Sequence, residues 1–506
     1  MFNKFSLTGV IVCLLLILVG CSSTVPVATK IPSYKVDAPI DSSLYAFLQP
    51  ALAEHPKKTG VLPLGSGVDA FIARLAVVKA ASSSIDLQYY IYHDDETGRM
   101  LMWKLLDAAD RGVRIRILLD DLTTKNLDEG LMLLASHPNI AIRLFNPSYD
   151  RTFRSLGMLT GFARLNHRMH NKSLTVDNLI TVVGGRNIGN EYFSKNEEVD
   201  FGDFDLLTIG AAVDKVSDQF DLYWNASVVY EIESLVEPTT PQMQVNAEAK
   251  MAERKANFEG DEYLDRLEFS ELLSEIRKAD IEWFWGDAKV VYDPPEKATS
   301  DSRQQWLMSD LTHFLSQAKQ QVLLVSPYFV PTPSGTEAFI AAVKSGIKVT
   351  IITNSLAATD VLAVHAGYQK YRKQLVENGV TIYEMKVDIN HRPSAWKGSS
   401  RSSLHAKTFV LDSEAVFVGS FNFDPRSAWI NTELGIIFDS PRFASSMLDA
   451  IDKALHNNSY RVAIEEGELI WFDQCQSKTY YAEPQASFWR KFMADFIGLF
   501  PIESQL

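Results

Sequence analysis

Two stretches of this 506-residue chain place the same reactive side chains in the same order. HNKSLTVDNLITVVGGRN begins at His170, and HAKTFVLDSEAVFVGSFN begins at His405. In each, a Lys stands two residues after the His (Lys172, Lys407) and an Asp five after the Lys (Asp177, Asp412). An apolar run follows, then a glycine-led turn (Gly184-Gly185, Gly419-Ser420) and an Asn (Asn187, Asn422). On an extended segment, positions two apart leave the same face, so each His and its Lys point together. Glycines in the turn let backbone N–H groups approach a ligand closely. Each stretch therefore offers one titratable imidazole, one fixed cation and one neutral donor. Two of them facing each other would surround a tetrahedral anion, and the expectation is a phosphate site.

Two imidazoles also suggest a division of labour. One attacks phosphorus to form a phosphohistidine. The other protonates the leaving alkoxide and then deprotonates the incoming hydroxyl. Lysines and asparagines supply the charge stabilisation, so neither metal nor cofactor is expected. An imidazole used this way needs an acceptor on its other nitrogen to hold the tautomer. Asp203 in FGDFDLL and Glu433 in NTELGII are acids in matched positions. Asp177 and Asp412 lie an odd number of residues from their His and should point away, anchoring the turn that follows. His167, three residues before His170, should face the other side and stay out of the chemistry. The remaining histidines lack such company; His365 is the exception to watch, in a helical stretch rich in cations and tyrosines.

The elements around the motifs are duplicated as well. VDAFIARLAVVKAA and GRMLMWKLLDAADRG have helical apolar spacing, with SIDLQYYIY and VRIRILLDD strand-like between and after them. The order returns as WLMSDLTHFLSQAKQ, QVLLVSPYFV, GTEAFIAAVKSG and IKVTIITNS. This predicts an α/β fold of two tandem domains, 56–232 and 291–460, forming an intramolecular pseudo-dimer with one shared active site. Residues 233–290 read as a polar linker or insert. In the extension 461–506, SFWRKFMADFIGLF puts its aromatics on one helical face, suiting either core packing or an interfacial helix on lipid.

At the N-terminus, one early cation (Lys4), an apolar run over 10–19 and Gly20-Cys21 read as a signal peptide, 1–21. The apolar run is short for a spanning helix. Its ending, LVGC, resembles a bacterial lipobox, implying lipidation of Cys21 and a tether over 22–55. With Cys13 removed and Cys21 acylated, only Cys475 remains, so no intramolecular disulfide forms in the mature chain. The expected location is the bacterial cell envelope, on the periplasmic side, with the outer membrane favoured because Ser22 follows the Cys. A formal net charge of −14 argues against a nucleic-acid partner.

The paired H-x-K-x4-D elements with G-[GS]-x-N resemble the phospholipase D superfamily over about residues 60 to 500. LQYYIYHDD, RLNHRMHNKSLTVD, TNSLAATDVLAVHAGY and GSFNFDPRSAWINTELG resemble bacterial cardiolipin synthases of the C type more closely still. Gly185 stands where many superfamily members have Ser, in the place Ser420 fills in the second half. The resemblance implies that His170, Lys172, Asp177, His405, Lys407 and Asp412 form the catalytic set, supported at the phosphate by Asn187, Asn422, Gly185, Ser420, Asp203 and Glu433. It implies transfer of a phosphatidyl group to phosphatidylglycerol, with phosphatidylglycerol or phosphatidylethanolamine as donor. A hydrolytic phospholipase D, with water as acceptor, uses the same motifs; a nuclease fits the acidic, lipid-anchored chain poorly.

Overall fold

A computed structural model describes residues 30–151, 154, 161–195, 200–258, 262–278, 280–299, 306–387 and 402–506. The segment expected to be a signal peptide, with Cys21, lies outside the described residues. First-half strands are β1 (Thr59–Leu64), β2 (Ser84–Tyr89), β3 (Arg114–Asp120), β4 (Ile140–Phe145), β5 (Ser173–Val176), β6 (Ile180–Gly184), β7 (Asp200–Gly202), β8 (Asp205–Gly210) and β9 (Val229–Glu231). The second half supplies β10 (Phe284–Tyr292), β11 (Gln321–Val325), β12 (Lys348–Asn354), β13 (Thr381–Met385), β14 (Ser402–Leu404), β15 (Thr408–Leu411), β16 (Ala415–Gly419), β17 (Leu434–Asp439), β18 (Ser459–Glu465), β19 (Glu468–Asp473) and β20 (Lys478–Tyr480).

The strand order shows the duplication directly. In the first half it runs β9-β4-β3-β2-β5-β6-β8-β1, with β4-β3-β2 parallel and the remaining pairs antiparallel. In the second it runs β10-β17-β16-β15-β11-β12-β13-β18-β19-β20, with β11-β12-β13 parallel. The halves join where β1 pairs antiparallel with β10, giving one 18-stranded sheet. A separate parallel pair, β7 with β14, crosses between the halves.

Local sequence explains the layers. β2 (SIDLQY) alternates polar and apolar residues yet is buried along its whole length, so its polar side chains need partners inside, and Asp86 pairs with Arg116 at 2.7 Å. Ser66 and Asp95 cap the helices Gly67–Ala80 and Glu96–Asp110, whose apolar sides pack on one face of the first-half sheet. A second cluster draws Val183, Leu206 and Val216 from the first half together with Val410, Val418 and Leu434 from the second. This shared core fixes one half against the other.

Three expected boundaries shift. The segment read as tether is partly structural: Ser33 N–H donates to Asn225 Oδ1 at 3.1 Å, Lys35 N–H donates to Asp221 Oδ2 at 2.8 Å, and Ser43–Glu54 is a helix. The supposed linker holds the helices Pro241–Phe258, Glu262–Glu268 and Glu271–Lys278, and β10 begins inside it. Tyr263, Leu267 and Leu272 are buried against the first-half core, a few apolar anchors that polar composition masks. Residue 460 falls within β18, so the extension completes the second half's sheet rather than following it.

Candidate active site

Each motif His lies just before a strand rather than within it: His170 and Lys172 precede β5, and His405 and Lys407 precede β15. Their position comes from contacts across the two halves. His170 N–H donates to Thr432 O at 2.8 Å, and Thr432 N–H donates to Arg168 O at 2.9 Å. His405 N–H donates to Gly202 O at 2.8 Å, at the end of the β7–β14 pair. Asp120, at the end of β3, holds the approach to the first motif by accepting from Met169 N–H at 2.8 Å and pairing with Arg168 at 3.1 Å.

The acids are exchanged between the halves. His170 Nδ1 lies 2.8 Å from Glu433 Oε2, and His405 Nδ1 lies 2.5 Å from Asp203 Oδ2. Each carboxylate fixes the tautomer in which Nε2 carries the reactive lone pair. Both imidazoles are buried, as are both lysines. Lys172 Nζ donates to His170 O at 2.5 Å, and Lys407 Nζ likewise donates to His405 O. The side chains feel one another electrostatically: the charges of Lys407 and His405 bear on His170, and that of Lys407 bears on Lys172. The structure thus brings His170, Lys172, His405, Lys407, Asp203 and Glu433 together.

The two imidazole–acid pairs are not equivalent. Burial, then Lys172 and Lys407, hold His170 well below the usual imidazole range. Burial and Lys407 lower His405 too, against an opposing pull from Asp203. Burial works against Asp203 as well, but Lys407 and His405 prevail and keep its carboxyl far below its ordinary range. Burial pushes Glu433 up to about 7 in spite of Lys172, and brings Lys172 down to about 7 in spite of Glu433. Burial also lowers Lys407.

The Gly185/Ser420 difference has a steric reason. A Cβ at Gly185 would lie 2.2 Å from Asp203 Oδ1, so the carboxylate of Asp203 fills the space a side chain would need. In the second half the acid is Glu433, and Ser420 Oγ donates to its Oε2 at 2.5 Å while accepting from Leu434 N–H at 3.0 Å.

The asparagines divide similarly. Asn187 Oδ1 accepts from Ile91 N–H at 3.1 Å and its amide donates to Tyr192 Oη at 3.0 Å, so it braces the site wall. Asn422 Oδ1 is buried and has no hydrogen-bond partner among the described residues, which suits a donor brought by substrate.

Asp177 and Asp412 do not join the catalytic set. Asp177 accepts from the N–H groups of Ser82, Ser83 and Ser84 at 2.8–2.9 Å, and from Ser82 Oγ at 2.9 Å. Asp412 accepts from the N–H groups of Lys319, Gln320 and Gln321 at 2.7–2.8 Å. Both have positive φ and tie the turn after β5 or β15 to the start of β2 or β11. His167 Nδ1 lies 2.9 Å from Ile430 O, a bracing contact between halves. His365 is buried beside Glu483, 3.8 Å away, in a cluster with Arg372 and Glu384.

Several residues at the site were missed from sequence. Rings of Tyr90, Tyr192 and Tyr328 surround the imidazoles, with Tyr90 centred 5.1 Å from His170 and Tyr192 and Tyr328 centred 5.5 and 6.5 Å from His405. Tyr90 and Tyr328 follow β2 and β11, so aligning the two halves would have exposed them. Arg426 donates to Asn166 Oδ1 at 2.9 Å and Asn166 O at 2.8 Å across the halves, and its charge bears on His170. Asp293 Oδ2 accepts from Glu433 N–H at 3.0 Å and pairs with Lys297 at 2.9 Å. Among the described residues, His93, Asp95 and Glu191 each bring a potential metal-ligating atom within 4.8 Å of one another. Asp95 is already a helix cap and accepts from Asn190 N–H at 2.7 Å.

The chain is similar to known proteins in sequence and in fold. The family model described as "Cardiolipin synthase, PLD-like domain" matches residues 75–224 and again 311–455, once on each half. Cardiolipin synthase C of Escherichia coli (strain K12) is 38% identical over 466 residues, covering 90% of this chain and 98% of its own length. The major cardiolipin synthase of Bacillus subtilis (strain 168) is 25% identical, over 78% of this chain and 69% of its own. The solved phosphatidylserine synthase of Haemophilus influenzae Rd KW20, 13% identical, shares the fold with a TM-score of 0.56 over 90% of this chain and 99% of that one. Duplicated α/β domains with two carboxylate-backed imidazoles define an enzyme of the phospholipase D type. The chain belongs to that superfamily, in its family of cardiolipin synthase PLD-like domains.

Proposed function

We propose that the enzyme is a cardiolipin synthase-like phosphatidyltransferase working through a phosphohistidine on His170. The observation that carries the assignment is the inequality of the two imidazole–acid pairs. Asp203, held as an anion against His405 Nδ1, opposes the lowering by burial and Lys407. His405 is therefore the more readily protonated of the two imidazoles and the better placed to act as general acid. Glu433 is the weaker anion, and His170, surrounded by cations, stays neutral with its Nε2 lone pair available.

In this reading His170 Nε2 attacks the phosphorus of a donor phospholipid. The P–O bond to the headgroup breaks, and the leaving alkoxide takes the proton of His405. Neutral His405 then removes the proton from the terminal glycerol hydroxyl of phosphatidylglycerol. That oxygen attacks phosphorus, breaks the P–N bond and frees His170. The ammonium groups of Lys172 and Lys407 stabilise the non-bridging oxygens of the phosphodiester in this buried site, and the incoming anion favours their charged forms. The resemblance to cardiolipin synthases allows phosphatidylglycerol or phosphatidylethanolamine as donor.

Incubating the enzyme in phosphatidylglycerol/phosphatidylethanolamine vesicles and resolving products by mass spectrometry tests this. Cardiolipin is expected; phosphatidic acid alone would assign a hydrolase. Activity should survive EDTA, and loss restored by one divalent ion would place a metal in the mechanism.

The lipobox-like ending at Cys21 supports an acylated N-terminus on the periplasmic side of the envelope, with Ser22 favouring the outer membrane. Among the described residues no helix is long and apolar enough to cross a membrane. Fatty-acid labelling of wild type and Cys21→Ser is the test: only the wild type should label, and equal labelling would refute the anchor.

A further inference from the structure

The helix Phe488–Gly498 is docked with its apolar side facing outward. Phe488, Trp489 and Leu499 are 73%, 70% and 80% exposed, and Phe492, Phe496 and Phe500 remain nearly half exposed. The side turned to the protein is small and polar. Ala494 is fully buried, and Gly498 lies close against Gln369 and Ala366 of the helix Leu362–Glu377. Arg490 donates through Nε to Leu356 O at 2.6 Å and through Nη2 to Thr359 O, and Asp495 Oδ1 accepts from Gln369 at 3.3 Å. A soluble protein normally buries such an aromatic stripe and exposes the charges.

The ridge is tied to the active site at both ends. The loop gripped by Arg490 continues to Asp360, which accepts from Tyr328 Oη at 2.8 Å, and the Tyr328 ring faces His405. Past the helix, Gln505 Oε1 accepts from Asn166 at 2.9 Å and Leu506 O accepts from Arg426 N–H at 2.5 Å. Asn166 leads into the first motif, and the charge of Arg426 bears on His170. The exposed aromatics therefore stand on the segments that frame both imidazoles.

We propose that this ridge inserts into the surface of a phospholipid bilayer and sets the active site against it. The inference rests on the reading of the site as one that acts on phospholipids. Exposed Trp and Phe on a helix whose polar side is already spent on the protein match an interfacial element. Continuity with the frame of the active site favours the bilayer over a second copy of the chain. A protein seated there would stand where lipid must enter, whereas a bilayer delivers it.

Full-length enzyme is mixed with vesicles of phosphatidylcholine and phosphatidylglycerol whose acyl chains carry bromine. Tryptophan emission should be quenched in wild type and measurably less so in Trp489→Phe, because Trp489 reaches the acyl region. Independently, Phe492→Ser/Phe496→Ser, shown by circular dichroism to be folded, should lose about tenfold or more of its turnover on vesicles. It should keep wild-type turnover on short-chain phosphatidylglycerol below its micelle-forming concentration. Equal quenching in wild type and Trp489→Phe would overturn the proposal. So would an unchanged vesicle-to-monomer ratio, or a detergent-stable dimer that the double substitution dissolves. If the enzyme makes no phosphatidyl product at all, the reading of its function fails while the quenching comparison still decides the docking.

Discussion

In the proposed mechanism the two acids matter as much as the two histidines, because each holds one imidazole at Nδ1. Removing either imidazole, His170→Ala or His405→Ala, should lower turnover about ten-thousandfold or more, and the double variant should be little worse because the pair acts as a unit. Asp203→Asn and Glu433→Gln keep the shape but withdraw the anion, and each should cost about a hundred- to ten-thousandfold in kcat in a vesicle assay. Glu433 also leaves a signature in stability. Its folded carboxyl titrates at about 7, above its value in the unfolded chain, so the folded state takes up the proton as pH falls from 8 towards 5. That uptake stabilises the wild type at low pH and is missing from Glu433→Gln. The difference Tm(Glu433→Gln) minus Tm(wild type) should therefore fall from pH 8 to pH 5 in calorimetry. A difference that stays constant or rises would contradict the buried, protonatable Glu433.

At the scale of elements, the motif's aspartates and glycine-led turns hold the strands that carry the chemistry. Asp177→Ala removes an acceptor for three backbone N–H groups and one hydroxyl in a fully buried place, and should cost ~2–3 kcal/mol of stability with little change in kcat per folded molecule. Asp412, more open to water, should cost less. Calorimetry beside active-site titration separates this from a catalytic role, which would lower kcat without shifting Tm. Gly185→Ser should behave differently. Its Cβ displaces the Asp203 carboxylate and so strips His405 of its partner, lowering kcat at least tenfold while far-ultraviolet circular dichroism stays wild type.

For the whole molecule, exchange of acids between halves means that neither half holds a complete site. Residues 30–283 and 284–506 expressed separately should be inactive, and their co-expression should restore turnover through the β1–β10 and β7–β14 pairings and the shared apolar core. Activity in one half alone would show that the pairs His170–Glu433 and His405–Asp203 are dispensable.

Sequence alone determined what is written in local spacing. Period-two and period-3.6 apolar patterns reveal the duplicated α/β order, and the repeated His-x-Lys and matched acids pick out residues that the fold gathers into one place. For Asp177 and Asp412 the odd spacing suggests an anchoring role and the family resemblance a catalytic one; their bonds to backbone N–H groups agree with anchoring. Tertiary structure alone decided which acid serves which imidazole, because Glu433 and Asp203 reach their partners through backbone bonds at Thr432 and Gly202 that no local rule specifies. It also decided that the polar stretch before β10 is packed helix, since three buried side chains are enough to dock it. It decided, too, which way the C-terminal aromatics face. Amphipathic spacing defines two faces of a helix, but only the neighbouring helix and the carbonyls of Leu356 and Thr359 determine which of them is turned inward.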